Sequence, residues 1–148
     1  MQNRILSAIT LLTIVPALFI SCGKDVKVKT KTELITSSSW KFDHATSGGA
    51  DISPFINACY KDNEVTFSAN GNGSFDEGAT KCNSGDPQTF NFTWSFMTNE
   101  TILNVSAAIF AGQSGNFTII TLTETSLVLE GTVTTSGGNV TAQIFLKH

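Results

Sequence analysis

Charge is scarce in this chain of 148 residues. Asp, Glu, Lys and Arg together make up 14%, and the net charge is -3. Beyond a few lysines between 24 and 31 there is no basic cluster. No nucleic-acid partner is expected, because phosphate binding needs a concentrated positive surface. Histidine is nearly absent. His44 sits at a strand end and His148 at the last residue, and neither belongs to a Ser-His-Asp or metal-ligand arrangement. No His-Glu-x-x-His, phosphate-cradling loop or dinucleotide fingerprint occurs. Asp76-Glu77 is the one adjacent pair of acids, and on a strand such neighbours point to opposite faces. The reading is therefore non-enzymatic, with no metal and no cofactor. A calcium loop around Asn70-Gly71-Asn72-Gly73 misses the EF-hand spacing, which leaves a hairpin turn with exposed acids.

What is present favours strands. Hydrophobic residues reach 41%, which excludes a disordered charged chain, and eleven Phe, twelve Gly and many Thr favour strands and turns over helices. The length allows one domain after a leader. Arg4 precedes an apolar run from Ile5 to Ile20, too short for a membrane span, which ends at Ser21-Cys22-Gly23. This segment resembles a bacterial lipoprotein signal. The resemblance implies a signal peptide over 1–21, cleavage before Cys22 and acylation of Cys22, which anchors the chain to a membrane through lipid. The alternative is an ordinary secretory signal that leaves Cys22 a free thiol. With its alternating lysines, 22–32 reads as an acylated tether. A frayed first strand with Val26 and Val28 on one side is the other reading.

The domain is expected over 33–148. Glu33 to Ser38 suits a short helix with Thr32 as a cap. Ser53-Pro54 looks like a second helix start, with Ser53 as N-cap. Glu64 to Ala69 alternates, and Asn70-Gly71-Asn72-Gly73 supplies the positive φ angles of a tight turn. Phe90 to Phe96 places four aromatic side chains on one face and Asn, Thr and Ser on the other. About eight strands are expected, at Trp40, Val65, Phe75, Phe92, Leu103, Ile119, Leu129 and Ile144. Ala107 to Asn116 is less regular. The links are short, so neighbours should be antiparallel. The expected fold is all-β, an eight-stranded up-and-down antiparallel barrel with a short N-terminal helix. A two-sheet β-sandwich is the alternative.

Certain strings carry a family resemblance. After the leader come Trp40-Lys41-Phe42, Cys59-Tyr60-Lys61-Asp62-Asn63, Asp76-Glu77-Gly78-Ala79-Thr80-Lys81-Cys82 and Thr93-Trp94-Ser95-Phe96. Together they resemble the lipocalin-like lipoproteins of Bacteroidetes. The resemblance implies the barrel fold and a location in the bacterial cell envelope, as an outer-membrane lipoprotein facing the periplasm or the surface. With Cys22 acylated, Cys59 and Cys82 remain as a pair in an oxidising compartment, where a disulfide is expected. A Cys-Cys metal site would lack further His or Cys ligands.

Two binding readings follow. In the first, the barrel of a monomer carries a small apolar ligand, and Trp40, Phe42, Phe67, Phe90, Phe92, Trp94 and Phe96 line its site. Eight strands also give an interior just wide enough for side chains to fill, so these aromatics could instead be the core. In the second, the protein is a membrane-bound interaction module that uses the loops Ser47–Ile52 and Ala107–Gly115 to bind protein or glycan.

Overall fold

The computed structural model describes residues 27–148, so the leader, Cys22 and the tether up to Val26 lie outside the described residues. The first element is a short helix, α1 (Lys31–Ile35). Its cap is Thr30, not Thr32 as the sequence suggested. The Thr30 hydroxyl accepts from the Glu33 amide at 3.1 Å, and the Glu33 carboxylate accepts from the Thr30 amide at 2.8 Å. Thr30 has an acid three residues downstream and Thr32 does not, which decides the capping box. Val28, in the stretch before the helix, is exposed and belongs to no strand.

Nine strands follow: β1 (Trp40–Ser47), β2 (Ala50–Asp51), β3 (Glu64–Phe67), β4 (Asn72–Asp76), β5 (Thr89–Met97), β6 (Ile102–Phe110), β7 (Gln113–Leu122), β8 (Ser126–Thr135) and β9 (Gly138–Lys147). From β3 to β9 each strand pairs antiparallel with the next, β3 also pairs with β1, and β9 returns to β1 from Lys41↔Lys147 to Thr46↔Gln143. The two-residue β2 only folds back on β1. Eight strands therefore close an antiparallel barrel, the architecture expected from the sequence. The sandwich alternative fails because the β1–β9 pairing closes one sheet on itself and leaves no second sheet among the described residues. Closure also removes the free edges that would template aggregation.

The inner face follows the period-two pattern. On β5, Phe92 and Trp94 are buried, Phe90 and Phe96 are half-buried, and Asn91, Thr93 and Ser95 face out. Leu103, Val105, Phe117, Leu127, Leu129, Val133, Ile144 and Leu146 add the aliphatic and aromatic lining of the other strands. The core is dense. Phe67 meets Phe92 and Trp94 edge-on at 5.6 and 5.4 Å, and Trp94 meets Phe96 edge-on at 5.3 Å. Such T-shaped pairs are the favoured geometry of aromatic quadrupoles.

The two ends of the barrel differ. At one end lie α1 and the turns after β3, β5 and β7. Ile35 is fully buried there, and its carbonyl accepts the Trp40 indole N–H at 2.8 Å. Lys29 pairs with Glu124 at 2.8 Å, and the Lys31 ammonium bonds the Glu100 carbonyl, so the incoming chain is tied across this end. His148 packs on Trp40 beside it. The opposite end gathers the ends of β1 and β6, the start of β3 and two longer connections, 52–63 and 77–88.

Several turns depart from expectation. The β3–β4 turn is Ser68-Ala69-Asn70-Gly71, and among these only Gly71 has positive φ, +82°. Asn72 and Gly73 already belong to β4. Gly73 is needed for a different reason, since a Cβ there would stand 2.3 Å from the Phe92 ring. Ser53 opens a three-residue 3-10 turn (Ser53–Phe55) but does not cap it. Its hydroxyl instead accepts the Ala45 amide of β1 at 2.9 Å, and Asp51 accepts the Ser53 amide. Ala107–Gly115 is not a loop. β6 and β7 run through it and turn tightly at Ala111-Gly112, both with positive φ. Ser47–Ile52 is likewise the β1–β2 hairpin, turning on Gly48-Gly49.

Candidate functional site

Inward rows on two neighbouring strands end in polar residues. Val65 and Phe67 of β3 face the core, and the same parity carried back gives Asn63. Phe75 of β4 faces the core, and the same parity carried forward gives Glu77. The β3–β4 register pairs Glu64 with Asp76, and one further step sets Asn63 opposite Glu77. Asn63 is 5% exposed and Glu77 8%. The expectation of exposed acids thus fails for Glu77. Parity with Phe75 was the sequence signal that could have found it.

These two residues help to line a pocket of about 330 Å3 at the end of the barrel opposite α1. That is near the lower end of the volumes typical of small-molecule sites. Tyr60, Phe75 and Phe90 supply its aromatic wall, with the rings of Phe75 and Phe90 4.8 Å apart. Asn83 and Asp86 form part of its rim, and among the described residues no Lys, Arg or His lines it. Asn63 Oδ1 and Glu77 Oε2 are sealed from solvent, and neither has a hydrogen-bond partner among the described residues. Buried polar atoms normally find partners, and leaving one unmet costs about 1–3 kcal/mol.

The loops that frame the pocket are held by a dense set of bonds. The Asp62 carboxylate accepts the amides of Ala79 and Thr80, each at 2.9 Å. The Asp76 carboxylate accepts from Gln88 Nε2 and from the Gly78 amide, both at 2.8 Å, and these bonds hold its carboxyl below the usual range. Gln88 also donates to the Gly78 carbonyl. Cys59 and Cys82 are disulfide-bonded, with 5.1 Å between Cα atoms, and Cys82 itself lines the pocket. The disulfide therefore links the 52–63 connection to the 77–88 connection. Hence the strings Cys59–Asn63 and Asp76–Cys82 are one docked unit, and its fixed geometry turns Asn63 and Glu77 inward.

The barrel below the pocket is almost filled. A gap of about 10 Å3 remains, bordered by Trp40, Phe42, Tyr60 and Asn63 among others, with room for one water at most. Of the seven aromatic residues singled out in the sequence, Phe90 lines the pocket, and Trp40 and Phe42 border the gap. Phe67, Phe92, Trp94 and Phe96 line neither, because their rings pack against one another toward the closed end. His44 stacks on Phe145, on the outside of the barrel. Among the described residues, no three His, Cys, Asp or Glu side chains come close enough to hold a metal.

No curated protein matches the chain. A lipocalin-like domain family matches residues 37–129, more than half of the sequence, from just before β1 into β8. The match, the closed eight-stranded barrel and the pocket at its open end agree, and the chain belongs to the lipocalin-like domain family.

Proposed function

We propose that this protein is a non-catalytic envelope lipoprotein, anchored through an acylated Cys22, whose barrel binds a small ligand at its open end. The observation that carries the binding reading is the pocket of about 330 Å3 with an aromatic wall, lined by Glu77 and Asn63, each of which buries one oxygen that has no partner among the described residues. The core needs the inward aromatics of β5 for packing. It does not need two buried polar side chains at the ends of β3 and β4. A ligand would set its apolar part against Phe75 and Phe90 and its polar part toward Glu77.

The binding reading is tested by nuclear magnetic resonance on the full mature chain, titrated with a panel of small aromatic and aliphatic compounds. Shifts should concentrate at Tyr60, Asn63, Glu77 and Gly112 and spare α1. A panel that moves none of these signals refutes it. The anchor reading rests on the apolar leader and Ser21-Cys22, and labelled palmitate in a bacterial host tests it. Absence of label on Cys22 refutes the anchor.

One observation favours a second reading, the interaction module. Phe55 is 56% exposed beside Ile52 and Val140, around a shallow hollow of about 500 Å3. The bond from the Ser136 amide to the Phe55 carbonyl holds this patch together. A partner on this surface would be lost with Phe55→Asp and kept with Glu77→Gln. Equal capture of envelope proteins by both variants counts against it.

A further inference from the structure

We infer that the ligand presents a cationic hydrogen-bond donor, a protonated primary amine carried on a compact apolar or aromatic body. This rests on the reading of the open end as a binding site, and it specifies the ligand's chemistry.

Three features of the pocket point the same way. First, its unmet groups are acceptors. Glu77 Oε2 and Asn63 Oδ1 both need a donor, and neither has one among the described residues. Second, its charge has one sign. Glu77 and Asp86 line it, and among the described residues no basic side chain does. Lys81, in the same loop, is tied to the Asp86 carbonyl at 2.8 Å and is not part of the lining. A ligand carboxylate has no donor to offer and would leave both acceptors unmet. Third, the remaining wall is aromatic. Tyr60, Phe75 and Phe90 present ring surface, which attracts cations as well as apolar groups. Carboxylate, amide oxygen and ring faces together are the groups that recognise an ammonium.

A trapped water is the competing explanation. The gap of about 10 Å3 could hold one water for Asn63, but Glu77 does not border that gap. Glu77 borders the larger pocket instead, and a donor for its carboxylate enters from that side. The backbone of Glu77 is held at its place, its amide donating to the Gln88 carbonyl at 3.0 Å.

The test compares three ligands that share a phenyl ring, namely 2-phenylethylamine, 2-phenylethanol and 3-phenylpropionate. Each is titrated calorimetrically into the full mature chain at neutral pH and moderate salt. A charge-assisted hydrogen bond should favour the amine over the other two by about tenfold or more. Glu77→Gln should remove most of that preference and leave 2-phenylethanol binding within about twofold. Its melting temperature, measured alongside, separates this effect from unfolding. Asp86→Asn, on the rim, provides a second reading, with a smaller loss for the amine alone. Equal or tighter binding of 3-phenylpropionate, or an amine preference unchanged in Glu77→Gln, overturns the inference while the open-end site stands. No binding by any of the three overturns the inference and the binding reading together.

Discussion

Gly78 lies against Asp62 so closely that a Cβ built on it would stand 2.5 Å from the Asp62 carbonyl oxygen. Its φ of +65° is also one that side chains rarely adopt. The Asp62 carboxylate reaches across to the amides of Ala79 and Thr80, and the Asp76 carboxylate accepts the Gly78 amide itself. Gly78→Ala should cost at least about 2 kcal/mol through strain and the backbone clash. Asp62→Ala, which only removes the two bonds, should cost about 1 kcal/mol. Urea unfolding checks both. A neutral Gly78→Ala would show that the two connections are not docked as described.

The disulfide closes a sequence separation of 23 residues. Replacing Cys59 and Cys82 by Ser should lower stability by roughly 3 kcal/mol in the chain-entropy account. The barrel itself should persist, since its strand pairing does not depend on the link. Far-ultraviolet circular dichroism should stay close to that of the parent, while amide exchange quickens in 52–63 and 77–88. Loss of the strand signal under native conditions would contradict this.

Two glycines without side-chain contacts of their own have opposite prospects. A Cβ on Gly73 would run into the Phe92 ring, whereas a Cβ on Gly85 would meet nothing within 4 Å. Gly73→Ala should cost about 1–3 kcal/mol, because Phe92 must leave its place between β4 and Phe67. Gly85→Ala should stay within about 0.5 kcal/mol of the parent. Thermal melting of the pair decides the point, and equal melting temperatures would refute it.

The capping box at α1 should be visible in a pH titration. Bonds from the Thr30 amide, and then from Lys27, lower the Glu33 carboxyl from its ordinary 4.5 to about 2. The folded value lies below the unfolded one. The helix contribution is therefore complete above about pH 4.5 and disappears as the pH falls through about 2. The Glu33 carboxyl carbon and the Thr30 amide should titrate together near the lower value. A midpoint near 4.5, with a silent Thr30 amide, would rule out the reciprocal cap.

The parts of the fold that could be read from sequence were those with an uninterrupted period. Phe90 to Phe96 alternates over seven residues, and burial demands that alternation, so both strand and face followed. The turns were harder, because glycine marks more than one need. Gly71 supplies a positive φ, whereas Gly73, two residues on, makes room for a ring that arrives from another strand. Ala111 at φ +47°, and Thr98, Asn99 and Glu100 at +52° to +60°, give no glycine signal at all. Tertiary pairing of β6 with β7, and of β5 with β6, imposes those conformations.

The candidate site was legible only in part. Its frame appeared as two recognisable strings, but nothing local shows that Asp62 reaches the amides beyond Gly78. Glu77 was masked by its neighbour, since Asp76-Glu77 reads as a solvated turn until Phe75 is known to face inward. The aromatic strand drew attention to the barrel interior. The rings of that strand occupy the interior themselves, which leaves only Phe90 to border the space above.

The entry of the chain through α1 has a directional consequence. The capping box and the Lys29–Glu124 pair deliver the chain to the plugged base of the barrel. If Cys22 carries the proposed lipid, roughly eight residues separate it from the folded domain, a reach of at most about 28 Å. With such an anchor the base would lie nearer the bilayer than the pocket does. A ligand would therefore arrive from the aqueous phase without crossing lipid. That route suits a water-soluble amine better than a molecule dissolved in the membrane.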